Sequence, residues 1–254
     1  MADLPTNILS LPSGAIRKCF TPLENNPEIM SGLAWRLGLS RTVKFIDIYN
    51  IDESEMIAMI PRPCYGLLLV FPVNKASETF RTQEDKTLDA YDGSGEEEVI
   101  WFQQTIGTGC GIIALLHCLL NGKARSFVGV ESDLGKLYQE ILPMQPLQRA
   151  NALCSSHALE MANELAAREG QSEVIAANTP MDLHFVCFTK SGTDNLWELD
   201  GRRKGPLIRG RLRAEEDVLD ETALDMGIRS FLKREAESGC QDLRFSLIGL
   251  VPAS

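Results

Sequence analysis

No run of apolar residues in this chain approaches the ~20 needed to cross a bilayer, and the N-terminus lacks a basic segment followed by an apolar core. Neither membrane attachment nor secretion is therefore expected. The seven cysteines contain no Cys-x-x-Cys pair, and their number is odd and their spacing irregular, so neither a structural zinc site nor a disulfide framework is expected. Thiols used in this way point to a cytoplasmic location, with the nucleus as a second compartment. Internal repeats and low-complexity tracts are missing too. Nor is there a cationic excess: the formal net charge is −10, which disfavours nucleic acid and suits a basic partner, because charge complementarity mainly speeds encounter and sets specificity. What is present is a chain of 254 residues, 44% hydrophobic, enough for one sizeable domain and read here as a single monomeric one needing no cofactor.

The segment from Gln104 to Leu120 sets Cys110 where a Gly-rich turn runs into an apolar helix. Backbone N–H groups at a helix N-terminus have no intrahelical partner, and the aligned peptide dipoles put partial positive charge there, so a thiolate is favoured. Such siting can bring a cysteine pKa into roughly the 3.5–7.5 range. Gly107, Gly109 and Gly111 are expected to leave room for a substrate backbone. Histidine is scarce, with three in the chain. His117 lies inside the same helix, roughly 10 Å along its axis, and is expected to pack. His157 is expected on a helix surface. His184 instead opens the apolar, β-prone run His184-Phe-Val-Cys-Phe-Thr189. A second short strand, Leu196 to Leu199, follows the turn Ser191 to Asp194 and leads into Asp200. Antiparallel pairing of the two brings His184 beside Asp200. Cys110, His184 and Asp200 then read as nucleophile, base and orienter, and the Gln104 side-chain amide as an oxyanion donor beside the Cys110 N–H. A buried cysteine that is only a small hydrophobe, and a strand histidine that is only a satisfied core residue, are equally compatible with the spacing.

The rest of the chain reads as mixed α and β. Asn26-Pro27-Glu28 makes a helix start, with Asn as cap and Pro at the first position; Ile29, Leu33 and Leu37 share one face, and Gly38 ends the helix. Val43 to Ile46, Tyr65 to Val73, Val99 to Phe102 and Leu243 to Val251 read as strands, the second continuous enough to be central. Pro146 to Arg168 reads as one long helix or a helix pair, and Thr222 to Glu237 as another helix. The fold class expected is α+β, helices flanking a central antiparallel sheet. Glu96-Glu-Glu98 reads as a charged loop, and Glu169 to Pro180 as a longer one.

Taken together, Pro22-Leu-Glu-Asn-Asn-Pro-Glu28, Phe45-Ile-Asp-Ile-Tyr49, Pro61-Arg-Pro63, Gln104-Thr-Ile-Gly107 with Cys110-Gly111, Asp182-Leu-His-Phe185, Glu198-Leu-Asp-Gly201 and Asp242-Leu-Arg-Phe245 resemble the ubiquitin carboxyl-terminal hydrolases, in that family's order. The resemblance implies a papain-like cysteine peptidase architecture, with residues 1–17 as an N-terminal extension. It implies a deubiquitinase that cleaves small or flexible leaving groups from the C-terminus of ubiquitin, with Cys110 as nucleophile, His184 as base, Asp200 as orienter and Gln104 as oxyanion donor. It further implies that Glu24, Glu28 and Asp47 hold ubiquitin, including its Arg-containing tail, and that a segment from about Ala162 to Met181 crosses over the active site. Thr108 stands where the family commonly has Asn, and Ile112 where it frequently has Thr. Two further readings stand beside this one: a hydrolase of the same chemistry acting on a ubiquitin-like modifier, or, given those departures, a silent ubiquitin-binding module.

Overall fold

The computed structural model describes residues 8–10, 16–89, 91–93, 97–170, 182–237 and 244–253. Strands β1 (Ile8–Ser10) and β2 (Ile16–Lys18) pair antiparallel within and just past the segment expected as an extension. Helix α1 (Pro27–Leu37) forms between the caps the sequence predicts: the Asn26 side chain accepts from the N–H groups of Glu28 (2.9 Å) and Ile29 (3.3 Å), and Gly38 closes the helix at φ 112°. Ile29, Leu33 and Leu37 are buried, as their shared face requires. Next come β3 (Val43–Asp47), α2 (Ser54–Ala58), β4 (Gly66–Pro72) and α3 (Lys75–Lys86). Then follow α4 (Cys110–Leu119), α5 (Asp133–Ile141), α6 (Pro146–Ser155) and α7 (His157–Glu169). The chain continues through β5 (Leu183–Lys190), β6 (Asn195–Leu199) and β7 (Leu207–Arg211). It ends with α8 (Glu221–Leu224), a π-turn at Asp225–Arg229, α9 (Ser230–Glu237) and β8 (Ser246–Pro252).

Among the described residues six strands form one sheet in the order β3-β8-β4-β5-β6-β7, every pair antiparallel. β4 is buried along its whole length, as its unbroken apolar run predicts for a central strand. One core, on the α1 and α4 side, also takes in α7; the other lies under α8 and α9. In α4 every residue after Cys110 is buried, so the helix needs no polar face.

Pro146 to Arg168 resolves as a helix pair. Ser156 makes the break, its hydroxyl accepting the Leu159 N–H at 3.3 Å to cap α7. That helix runs on to Glu169, so Ala162 to Glu169, expected to belong to the crossover, are its last turns, with Ala162, Asn163 and Ala166 buried. Residues 171–181, the rest of that expected crossover, lie outside the described residues, as do Glu96 and the Asp242-Leu243 part of the terminal motif. Val99 to Phe102 is not a strand. It is a buried stretch outside any strand ladder, its backbone paired by side chains: Asn121 accepts from the Ile100 N–H (2.6 Å) and donates to its carbonyl (2.9 Å), and His117 accepts from the Phe102 N–H (2.9 Å). Nothing in a β-prone apolar run reveals that its partners are a helix's side chains.

Candidate active site

Cys110 is the first residue of α4 and is half-buried. The turn before it is fastened to the end of β2 and the chain just past it: the Gly107 N–H donates to the Lys18 carbonyl (2.8 Å) and the Phe20 N–H to the Gly107 carbonyl (2.9 Å). A Cβ on Gly107 would lie 2.4 Å from the Cys19 sulfur, so only glycine permits this approach. Gly109 and Gly111 likewise press against Ile106 and Leu23. The three glycines thus let the turn pack on the protein's own chain. Thr108 sits between them at φ 53°, its hydroxyl donating to the Phe20 carbonyl at 2.6 Å.

His184 lies near the start of β5, and Asp200 just past the end of β6. The register pairs Cys187 with Leu199, so antiparallel pairing brings the two side chains together, and His184 Nε2 meets Asp200 Oδ1 at 2.7 Å. The same Oδ1 accepts the Arg202 N–H (2.8 Å), and the Phe71 ring meets the imidazole edge-on at 5.7 Å between centroids. β6 pairs with β5 only from Cys187 to Lys190, so the Leu183 to Val186 stretch of that edge has no strand partner. The N-terminus of α4 packs there, Gly111 against the Phe185 ring, and Cys110 is electrostatically coupled to His184 and to the Phe185 N–H. With Nε2 committed to Asp200, the nitrogen that faces Cys110 is Nδ1.

Burial opposes charge at all three residues, and their mutual attraction overcomes it. Burial alone would raise the Cys110 thiol, but the His184 hydrogen bond and charge, with the N–H groups of Phe185 and Gly111, hold it below its ordinary value. Burial would lower His184, yet the Asp200 charge lifts it to about 9. Burial would raise Asp200, and His184, the Arg202 N–H and the Arg203 charge bring it down to about 2. The arrangement favours a thiolate–imidazolium pair at neutral pH, a nucleophile already deprotonated beside a proton donor.

Gln104 is tied to the turn after Asp200, its N–H donating to the Gly201 carbonyl at 2.8 Å; its Oε1 is buried without a partner. The Trp101 indole N–H donates to the Asp200 carbonyl at 3.0 Å, so the Gln104 segment and the Asp200 turn are fastened twice. His117 is fully buried and packs, as expected; His157 is exposed.

Sequence reasoning missed α3, whose side chains brace the Asp200 turn from behind. Arg81 donates to the Arg202 carbonyl (3.1 Å), while Asp85 (3.0 Å) and Glu84 (2.5 Å) take the guanidinium of Arg203, itself buried. The helix is polar along most of its length, so no apolar stripe announces it; the local pairs Glu78–Arg81 (i, i+3) and Arg81–Asp85 (i, i+4) are its marks.

Of the three acids expected to bind a partner, Glu28 and Asp47 line one open groove of about 750 Å³ between α1 and β3, together with Tyr49, which is 84% exposed and donates to Asp47 at 2.9 Å. Glu24 does not line it. Its carboxylate lies beside Gly170 at the end of α7, where a Cβ would come within 2.7 Å.

The model of the family described as ubiquitin carboxyl-terminal hydrolase, family 1, matches residues 20–233. Ubiquitin carboxyl-terminal hydrolase 3 of Arabidopsis thaliana is 31% identical over 238 residues, covering 92% of this chain and 94% of its own. Isozyme L1 of Homo sapiens is 31% identical over 233 residues, covering 92% and 98%. The solved catalytic domain of Trichinella spiralis UCH37, bound to ubiquitin vinyl methyl ester, superposes with a TM-score of 0.68 at 20% identity, over 92% of this chain and 96% of that one. With the family model spanning most of its length and such relatives matched nearly end to end, the chain belongs to the ubiquitin carboxyl-terminal hydrolases.

Proposed function

We propose that this protein is a thiol-dependent hydrolase that cleaves bonds to the C-terminus of ubiquitin, with Cys110, His184, Asp200 and Gln104 carrying the reaction. The observation that bears most weight is the 2.7 Å His184–Asp200 pair, which occupies Nε2 and leaves Nδ1 of His184 to serve a cysteine at a helix N-terminus. The Cys110 thiolate attacks the carbonyl carbon of the scissile bond. The resulting oxyanion is held by the Cys110 N–H, which has no intrahelical partner, and by the Gln104 amide. His184 passes its proton to the leaving amine, the C–N bond breaks, and a thioester on Cys110 remains. His184 then takes a proton from water, whose oxygen attacks the thioester, releasing the carboxylate and restoring the thiolate.

Ubiquitin is held along the groove that contains Glu28 and Asp47. Their charges suit a basic tail, and the exposed Tyr49 ring supplies a face for a cation. The protein works as a cytoplasmic monomer, its acidic balance offering nothing to nucleic acid. No described helix is long and apolar enough to cross a membrane.

The test is intact mass with peptide mapping after mixing the protein with ubiquitin whose C-terminus carries a thiol-reactive electrophile. One adduct, on Cys110, is expected. Binding without an adduct would favour a silent binding module, and no binding would favour a ubiquitin-like modifier as substrate.

A further inference from the structure

Helix α4 carries a buried histidine that the reaction above does not use. His117 Nε2 accepts the Phe102 N–H at 2.9 Å, and the two rings stack with centroids 5.6 Å apart and planes 24° from parallel. Burial pushes its pKa down to about 3, so the ring stays neutral at working pH and Nε2 keeps the lone pair that receives this N–H. The proton therefore sits on Nδ1, which is buried without a well-formed partner and makes only a loose contact with the Leu199 carbonyl. One ring thus touches the residue two before Gln104 and the residue just before Asp200. It does so from the helix whose first residue is Cys110.

The Phe102 side of this contact matters because the Val99 to Gln104 stretch has no strand beside it. Asn121, one turn beyond His117, pairs both polar groups of Ile100 and also donates to the His117 carbonyl at 2.8 Å. Closer to Gln104 the stretch is held to α4 through His117. Without it the Phe102 N–H would be left unpaired in the core, and the stretch would shift to find another acceptor.

We propose that His117 is a positioning residue for the oxyanion. By tying Phe102 to α4 it fixes the Gln104 amide relative to the Cys110 N–H, so that both donors converge on one oxygen. The inference rests on the roles given to Cys110 and Gln104 above. Deleting an oxyanion donor costs about 10²–10³ in kcat, so displacing one should cost about tenfold or more.

The experiment compares His117→Gln, whose amide oxygen reaches close to the place of Nε2, with His117→Asn, which is too short to do so, and His117→Leu, which only fills the space. Turnover of ubiquitin carrying a C-terminal aminocoumarin is measured per titrated active site, alongside alkylation of Cys110 by iodoacetamide, which needs a thiolate but no oxyanion hole. A wild-type protein without turnover sinks the functional reading, and this proposal with it. Given wild-type turnover, kcat should fall about tenfold in the Asn and Leu variants, with KM and alkylation rate unchanged, and the Gln variant should recover most of the loss. Equal kcat in the Gln and Asn variants would overturn the proposal, and that comparison decides the matter even if the Leu variant fails to fold. A loss shared by alkylation would also overturn it, because the effect would then lie in the thiolate.

Discussion

Replacing Asp200 by Asn would separate charge from geometry at this site. Oδ1 of Asp200 both meets His184 Nε2 (2.7 Å) and accepts the Arg202 N–H (2.8 Å), so an asparagine with its oxygen in that place keeps both bonds and leaves Nδ1 facing Cys110. Only the negative charge goes. Against a burial penalty of opposite sign, that charge lifts His184 from 6.5 to about 9, and the same attraction helps bring Asp200 from 3.8 to about 2. At about 1.36 kcal/mol per pKa unit, the two displacements, net of burial, set a floor of about 2–3 kcal/mol under the interaction. His184, raised on folding, contributes its stability in full below pH 6.5 and loses it as pH rises through about 9; Asp200, depressed, contributes above pH 3.8 and loses it as pH falls through about 2. Activity should follow the imidazolium. In the wild type kcat/KM falls on an alkaline limb near 9, whereas in Asp200→Asn burial is opposed only by Cys110 and the limb moves down toward 6.5. At pH 8 the variant should be slower by about 30- to 150-fold, the same 2–3 kcal/mol expressed as a rate. The inflection for Cys110 alkylation should rise in parallel, since its thiolate loses the cation that supports it. The assay is the pH profile of aminocoumarin release from ubiquitin, with iodoacetamide alkylation beside it. An Asn variant whose limb stays near 9 would refute the reasoning, as would one within threefold of wild type at pH 8.

Thr108→Asn should raise the melting temperature by about 2–4 °C per kcal/mol relieved, because a β-branched residue at φ 53° is strained while Asn tolerates that region and can still donate to the Phe20 carbonyl; calorimetry showing a lower melting temperature would count against it. Cys110→Ala should abolish turnover while leaving ubiquitin affinity largely intact by calorimetric titration, and residual turnover would reassign the nucleophile. Asp47→Lys with Glu28→Lys should raise KM for ubiquitin substrates several-fold with kcat unchanged, and should weaken the salt dependence of KM, because it reverses the groove's charge. Unchanged KM would move the ubiquitin tail elsewhere.

Much of the site is local in origin, which is why the sequence exposes it. Asn26 and Gly38 bound α1 through backbone groups only a few residues away. The Ser191 to Asp194 turn sets a register in which His184 and Asp200 must meet once both flanking runs are strands. Cys110 can be placed because a Gly-rich turn before an apolar run marks a helix start. What stays hidden depends on partners distant in sequence. Val99 to Phe102 has the composition of a strand, and only α4, through His117 and Asn121, makes it something else. α3 is held by ions drawn from β7 and the Asp200 turn, and so carries no apolar periodicity to read. Glu24 and Glu28 lie one helical turn apart in sequence, yet Asn26 caps α1 between them and sends the chain in a new direction, so one faces the groove and the other α7.

These hidden contacts surround the legible ones. His184 and Asp200 are read from a hairpin, but the turn carrying Asp200 is fixed on one side by Trp101 and Gln104, and on the other by Arg81 and Arg203. Removing either brace would leave Cys110, His184 and Asp200 in the sequence and the sheet register intact, with the 2.7 Å bond between imidazole and carboxylate no longer held to one geometry. Residue types that suit the chemistry are therefore a weaker requirement than the packing that aims them. A relative could keep Cys110, His184 and Asp200 and still lose its rate through Phe102, His117 or Arg203.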